Sequence, residues 1–354
     1  VYLFERDNDL WKQVAFIKAS NADLHDQFGM DLSLYGYTLV VGVKGEDSNQ
    51  NTITNGTNTS QDNSANTSGA VYVYVKSNNK WIQQAYIKPF NNHSFLSFGK
   101  DVDIYEDTIA VSAVGDKSSL DNITNFSETE GRNPYPESFN GNVDNSGAVY
   151  VYKRTHTSWH IEAYIKASDS IRDNKLGRTD CCGGLSLYKD TLAVSNLGAL
   201  YPNTGDNTVY IFQRNGTIWT EEAKIVGYNK GTSWGEYVEL GNNVLAIGTP
   251  REINASDGKI YIYRRSGTAW SLSQTIQIND PGDFKLTGYR MRLKENLLLI
   301  YSLGRNSVYV FKNNGTSFIK VTEIKNDNSE SDDGFGNGSD IDGDNIIIGA
   351  TGDD

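Results

Sequence analysis

Six times in this chain an aromatic residue follows a tyrosine at a fixed distance of nine residues. The pairs are Tyr2/Trp11, Tyr72/Trp81, Tyr150/Trp159, Tyr210/Trp219, Tyr261/Trp270 and Tyr309/Phe318. Five of the six tryptophans fall in this register. A spacing kept from one end of a chain to the other marks a repeat architecture and decides the fold before any local reading does. It also assigns most aromatics to blade cores rather than to a binding surface.

Each unit reads as four strands. A short first strand follows an aromatic-Gly or related step: Phe28-Gly29, Phe98-Gly99, Leu176-Gly177, Trp234-Gly235, Thr287-Gly288 and Phe335-Gly336. A tight turn leads to an apolar second strand such as Thr38-Leu39-Val40-Val41 or Ile346-Ile347-Ile348. Such near-continuous Val/Ile/Leu runs read as strands buried on both faces. The third strand carries the tyrosine, and the fourth carries the Trp after a hairpin turn, with Asn215-Gly216, Ser266-Gly267 and Asn314-Gly315 supplying residues that tolerate positive φ. No segment has a helical period.

Four antiparallel strands recurring at roughly 48 to 50 residues, insertions aside, point to an all-β fold, a six-bladed β-propeller. The chain opens on strands three and four of a unit and ends on strands one and two. The expected ring therefore closes through a composite blade of N- and C-terminal strands, with seven blades if the chain is truncated. Residues 1–354 then form one propeller domain, with long insertions at 44–68 and 116–146 on one face.

The Phe28-Gly29, Val41-Gly42, Phe335-Gly336 and Gly349-Ala350 steps, with the Gly-Ala-Val-Tyr-Val-Tyr segments at 69–74 and 147–152, resemble FG-GAP repeats. Such repeats form the propeller of integrin α subunits and of many extracellular bacterial and protist proteins. The resemblance covers essentially the whole chain and implies fold and an extracellular or cell-surface location more than activity.

Composition narrows the partners. The formal net charge of -12 argues against nucleic acid and against an anionic membrane surface. No apolar run approaches the ~18 residues of a membrane span. Charged residues make up 21% of the chain, which is rich in Asn, Ser, Thr, Gly and Tyr, as secreted β proteins are. The first residues read as a strand rather than a leader, as in a processed protein or a segment of a longer one.

Ten Asn-X-Ser/Thr sequons stand at Asn55, Asn58, Asn66, Asn92, Asn122, Asn125, Asn215, Asn254, Asn314 and Asn337, nearly all in loops or turns where N-linked glycans would fit. The adjacent Cys181 and Cys182 could be free thiols, cross-link chains or form a vicinal disulfide, the reading favoured in an oxidising setting. By the integrin-type resemblance, Asp340, Asp342 and Asp344 occupy a strand-one to strand-two turn that could hold Ca²⁺. The other five turns lack that carboxylate pattern, and a plain hairpin is the competing reading.

Catalysis finds no motif. His25, His93, His156 and His160 are scattered, and no nucleophile elbow or phosphate loop occurs. First strands place Asp31, Ser33, Asp101, Asp103, Glu239, Arg290, Arg292 and Asp340 toward a central channel without composing a mechanism. The expected function is a non-enzymatic extracellular adhesion or assembly glycoprotein, a building block of a surface layer or fibre. Its partners would be protein or glycan surfaces, or further copies of itself. The alternatives are a glycan-binding propeller lectin and a propeller-scaffold hydrolase or lyase.

Overall fold

The computed structural model describes residues 1–8, 10–127, 145–169, 176–177, 183–197, 207–227, 233–250, 258–278, 287–302, 306–326, 334–343 and 345–350. Every regular element among them is a strand. The chain opens with β1 (Tyr2–Asp7) and β2 (Leu10–Phe16), then β3 (Asp31–Tyr35), β4 (Thr38–Val43), β5 (Ile53–Asn55), β6 (Ala70–Ser77) and β7 (Lys80–Ile87). Next come β8 (Phe98–Tyr105), β9 (Thr108–Ala113), β10 (Ile123–Asn125), β11 (Ala148–Thr155) and β12 (Ser158–Ile165). The following units are β13 (Leu185–Tyr188), β14 (Thr191–Asn196), β15 (Thr208–Asn215), β16 (Ile218–Val226), and β17 (Tyr237–Gly241), β18 (Val244–Thr249), β19 (Lys259–Ser266), β20 (Ala269–Gln277). The last are β21 (Thr287–Lys294), β22 (Leu297–Ser302), β23 (Ser307–Asn313), β24 (Phe318–Lys325), β25 (Phe335–Asp342) and β26 (Asn345–Ala350).

These strands make the four-stranded antiparallel blades of a β-propeller, as expected. Three sheets run β13 to β16, β17 to β20 and β21 to β24 in chain order. Two others, β3-β4-β6-β7 and β8-β9-β11-β12, carry an additional fifth strand on the outer edge: β5 beside β7 and β10 beside β12. The strands assigned to the composite blade form two-stranded ladders, β1-β2 and β25-β26.

The chain divides into two compact units, Val1–Gly177 with Arg214–Trp219, and Arg178–Gln213 with Thr220–Asp354. In the first, one core gathers Val71, Val73, Ile87, Phe98, Val111, Tyr150 and Tyr164. In the second, Ile260, Ile262, Leu298, Ile300, Tyr309 and Phe311 form the counterpart. The second strands β4, β9 and β18 are buried along their whole length, as their apolar runs require.

The glycine of the aromatic-Gly step has a conformational reason. All six have positive φ, from +80° at Gly177 to +96° at Gly336. At Gly99 a Cβ would also meet the Ala70 carbonyl oxygen at 2.5 Å, so backbone packing leaves no room for a side chain.

The Tyr/Trp register holds unevenly. Tyr72, Tyr150, Tyr210, Trp159 and Trp219 are buried. Tyr2 and Trp11 are 61% and 51% exposed, because β1 and β2 pair only with each other among the described residues. Core position in this fold comes from neighbouring strands, and a two-stranded ladder lacks them.

Candidate functional site

The two long insertions, between β4 and β6 and between β9 and β11, are rooted by the same buried constellation. In the first, Lys88 Nζ donates to Glu46 Oε2 at 2.7 Å, to Ser68 Oγ at 2.8 Å and to the Gly69 carbonyl at 2.6 Å. Glu46 also accepts the Tyr86 hydroxyl, the Asn21 amide and the Ser48 backbone N–H. In the second, Lys166 donates to Asp116 Oδ1 at 3.1 Å, to Ser146 Oγ at 2.5 Å and to the Gly147 carbonyl at 2.7 Å. Asp116 accepts from Tyr164, Tyr150, Asn91 and the Ser118 N–H.

Each ammonium thus has three acceptors, as a buried charge requires. Burial pushes Asp116 upward, but Lys166 and these donors outweigh it and hold its carboxyl below the usual range. Burial pulls Lys88 and Lys166 down against the opposing pull of their carboxylates. The roots of both insertions are therefore fixed by charge inside the protein.

From these roots each loop returns a short strand to its own blade and reaches the next one. β5 and β10 have the same sequence, Ile-Thr-Asn, and pair with Ala85–Ile87 and Ala163–Ile165. Asn55 Nδ2 donates to the Trp159 carbonyl at 3.1 Å, and Trp159 N–H donates to Asn55 Oδ1 at 2.7 Å. Asn125 makes the same two-way clamp on Trp219, at 3.1 and 2.8 Å. In the other unit Gln274, on β20 itself, clamps Phe318 in this way at 2.9 and 2.7 Å.

The tryptophans also lock neighbouring blades. Trp159 Nε1 donates to Gln84 Oε1 at 2.9 Å while the Arg154 guanidinium lies over its ring and donates to the same oxygen. Trp219 and Arg214 meet Glu162 likewise, as Trp270 and Arg265 meet Glu222. Where Phe318 replaces Trp, Asn313 stands at the arginine position and Ser273 at the acceptor position, so the lock is absent as a set. At Trp81 the acceptor position holds Val14, and Trp81 Nε1 is buried without a hydrogen-bond partner.

The polar residues of the first strands form stitches. Ser33 donates to Asp103 at 2.7 Å and accepts from the Ile104 N–H, while Asp31 accepts from the Val102 N–H. Burial, then the charge of Asp101, pushes Asp31 up to about 8. In the second unit Arg292 bridges Glu239 at 3.4 Å and Asp340 at 2.8 Å. Ser186 and Glu239 accept backbone N–H groups of Leu240 and Leu293. The structure gathers these residues by pairs across strands.

Two carboxylates of the candidate Ca²⁺ turn meet side-chain cations. Asp340 is paired with Arg292, and Asp342 with Lys294 at 2.9 Å. Asp344 lies outside the described residues, within which no three His, Cys, Asp or Glu could together hold a metal ion. Cys181 and Cys182 also lie outside them. Among the histidines, His25 and His156 adopt positive φ in turns, and His93 Nδ1 lies 2.9 Å from the Ser94 carbonyl.

The sequons separate into two groups. Asn55 and Asn125 use their amides in the clamps, and the Asn92 Nδ2 donates to the Ser48 and Gln50 carbonyls. Asn58, Asn66, Asn122, Asn215 and Asn314 are exposed. Asn254 and the side chain of Asn337 fall outside the description.

Sequence reasoning missed the loop roots and the fifth strands. Their signal is the twofold recurrence of Ala-Tyr-Ile-Lys (85–88, 163–166), of Glu/Asp-X-Ser (46–48, 116–118) and of Ile-Thr-Asn.

Among the described residues no helix is long and apolar enough to cross a membrane. No curated protein matches the chain. A model of the FG-GAP repeat matches residues 11–74, a stretch that runs from β2 into β6. That match covers one stretch of the chain and, with the four-stranded blade repeated beyond it, supports the resemblance to FG-GAP repeat β-propellers.

Proposed function

We propose that this protein is an extracellular, non-enzymatic adhesion or assembly glycoprotein that presents the loops at 44–68 and 116–146 to protein or glycan partners. The observation that carries the reading is the rooting of both loops by buried ion pairs and their lashing to the next blade. A rigid scaffold that anchors long polar loops at their roots is the usual arrangement of a recognition surface. The buried ionisable groups at these roots are saturated by structural bonds, which suits anchoring better than proton transfer.

The test is secretion from a eukaryotic host, followed by enzymatic deglycosylation, sedimentation and electron microscopy. The reading expects a downward gel shift and either ordered assemblies or saturable binding to a cell or glycan surface. An unshifted band removes the glycoprotein element. A monodisperse monomer that binds no such surface sinks the adhesion and assembly reading.

A further inference from the structure

Two blades of this protein receive a fifth strand from their own loops, and among the described residues a third has the same outer edge without one. On β7 the added strand is held by Gly56 N–H to the Gln84 carbonyl at 2.6 Å and by the Thr54 to Tyr86 pairing. Its Ile53 packs on the cluster containing Ile87, Tyr150 and Tyr152. At the corresponding place in the second unit, beside β20, lies a cavity of about 420 Å³ lined by Thr275, Ile276, Ile278, Tyr309, Phe311 and Lys320 among others. Thr275 and Ile276 match Tyr86 and Ile87 in register, and Tyr309 and Phe311 match Tyr150 and Tyr152.

Among the described residues no strand pairs with the outer edge of β20. The link between β18 and β19 is residues 250–258, against residues 44–69 between β4 and β6.

The sequence of the edge strand lacks deterrent charges. Open edges usually carry charges that deter pairing. β16 has Glu221, Glu222 and Lys224, and β24 has Lys320, Glu323 and Lys325. β20, Ala-Trp-Ser-Leu-Ser-Gln-Thr-Ile-Gln, has no charged residue.

We infer that the outer edge of β20 is a strand-addition site for an extended, uncharged peptide segment of another protein, with an aliphatic side chain entering the cavity beside Tyr309. The occupant's chemistry is that of Ile-Thr-Asn, the segment the chain itself uses at the two matching edges. Main-chain hydrogen bonds would supply affinity, and the aliphatic side chain the selectivity. This gives the partner-binding reading above one defined surface and stands apart from glycosylation and the loop face.

The test uses the full chain and a synthetic, end-capped peptide of residues 122–127, Asn-Ile-Thr-Asn-Phe-Ser, followed by titration calorimetry. Saturable binding is expected. It should weaken at least about tenfold when the peptide carries Ile123→Gly, which takes the aliphatic side chain out of the cavity. In the protein, Thr275→Pro removes an outward N–H of an edge strand, a tolerated place for proline, and should weaken binding similarly. No saturable binding, or binding indifferent to both changes, overturns the inference. The peptide variant decides the matter if Thr275→Pro fails to fold. A secreted, glycosylated protein that ignores the peptide would overturn this inference alone.

Discussion

At the residue scale, the costliest side chains are the two buried lysines. Lys166 is fully enclosed, and Asp116 with it. Removing one member of such a pair leaves the other charge buried and unanswered, which costs about 3–5 kcal/mol. Lys166→Met should therefore lower unfolding free energy in urea by about that amount. Replacing both partners, as Asp116→Leu with Lys166→Met, should recover a good part of it.

Asp31 acts in the opposite direction. Its folded pKa, about 8, lies above the ordinary value of 3.8, so the folded protein holds this proton more tightly than the unfolded chain does. The stability it contributes is complete at low pH and is lost as pH rises from 3.8 toward about 8. Asp31→Asn has no proton to lose. Its melting temperature relative to the parent should rise across that window and level off above it. A difference that stays flat with pH would refute the assignment.

At the element scale, blades are joined by sets of residues rather than by single contacts. The Trp, the arginine five residues before it and the acceptor on the preceding blade are present together three times and absent together at Phe318. Trp81 has the ring without the acceptor. Val14→Gln should supply one, since Gln84 does this for Trp159. The expected gain is about 1 kcal/mol, the net worth of one hydrogen bond to a group otherwise unsatisfied, read as a higher urea midpoint. An unchanged midpoint would mean the side chain at position 14 does not reach the ring.

The strands of the repeat were legible because each carries a long apolar or alternating run. The fifth strands were not. Three residues inside a polar loop carry no period, and only their place against Ala85–Ile87 and Ala163–Ile165 makes them strands. The lock had half a signal in the fixed Trp register. Its acceptors, three residues after the Trp of the preceding blade, vary in type and serve a ring whose distance along the chain changes with the insertions.

At the scale of the whole molecule, glycan placement should follow the fold. Sequons at Asn58, Asn66, Asn122, Asn215 and Asn314 are exposed, whereas Asn55, Asn92 and Asn125 hold backbone groups through the nitrogen a glycan would occupy. Glycopeptide mapping of secreted protein should find sugar in the first group and none in the second. Substantial occupancy at Asn125 in folded protein would contradict the clamp.

The sequence by itself determined the repeat, the strand order within a unit and the glycine steps, because these depend on local backbone sterics and on side-chain period. Tertiary structure decided which aromatics are buried, which carboxylates meet lysines and which loop segments become strands. Tyr2 and Tyr72 share one register, yet one is exposed and the other buried. Burial is a property of the strands packed alongside, and no residue encodes its neighbours alone.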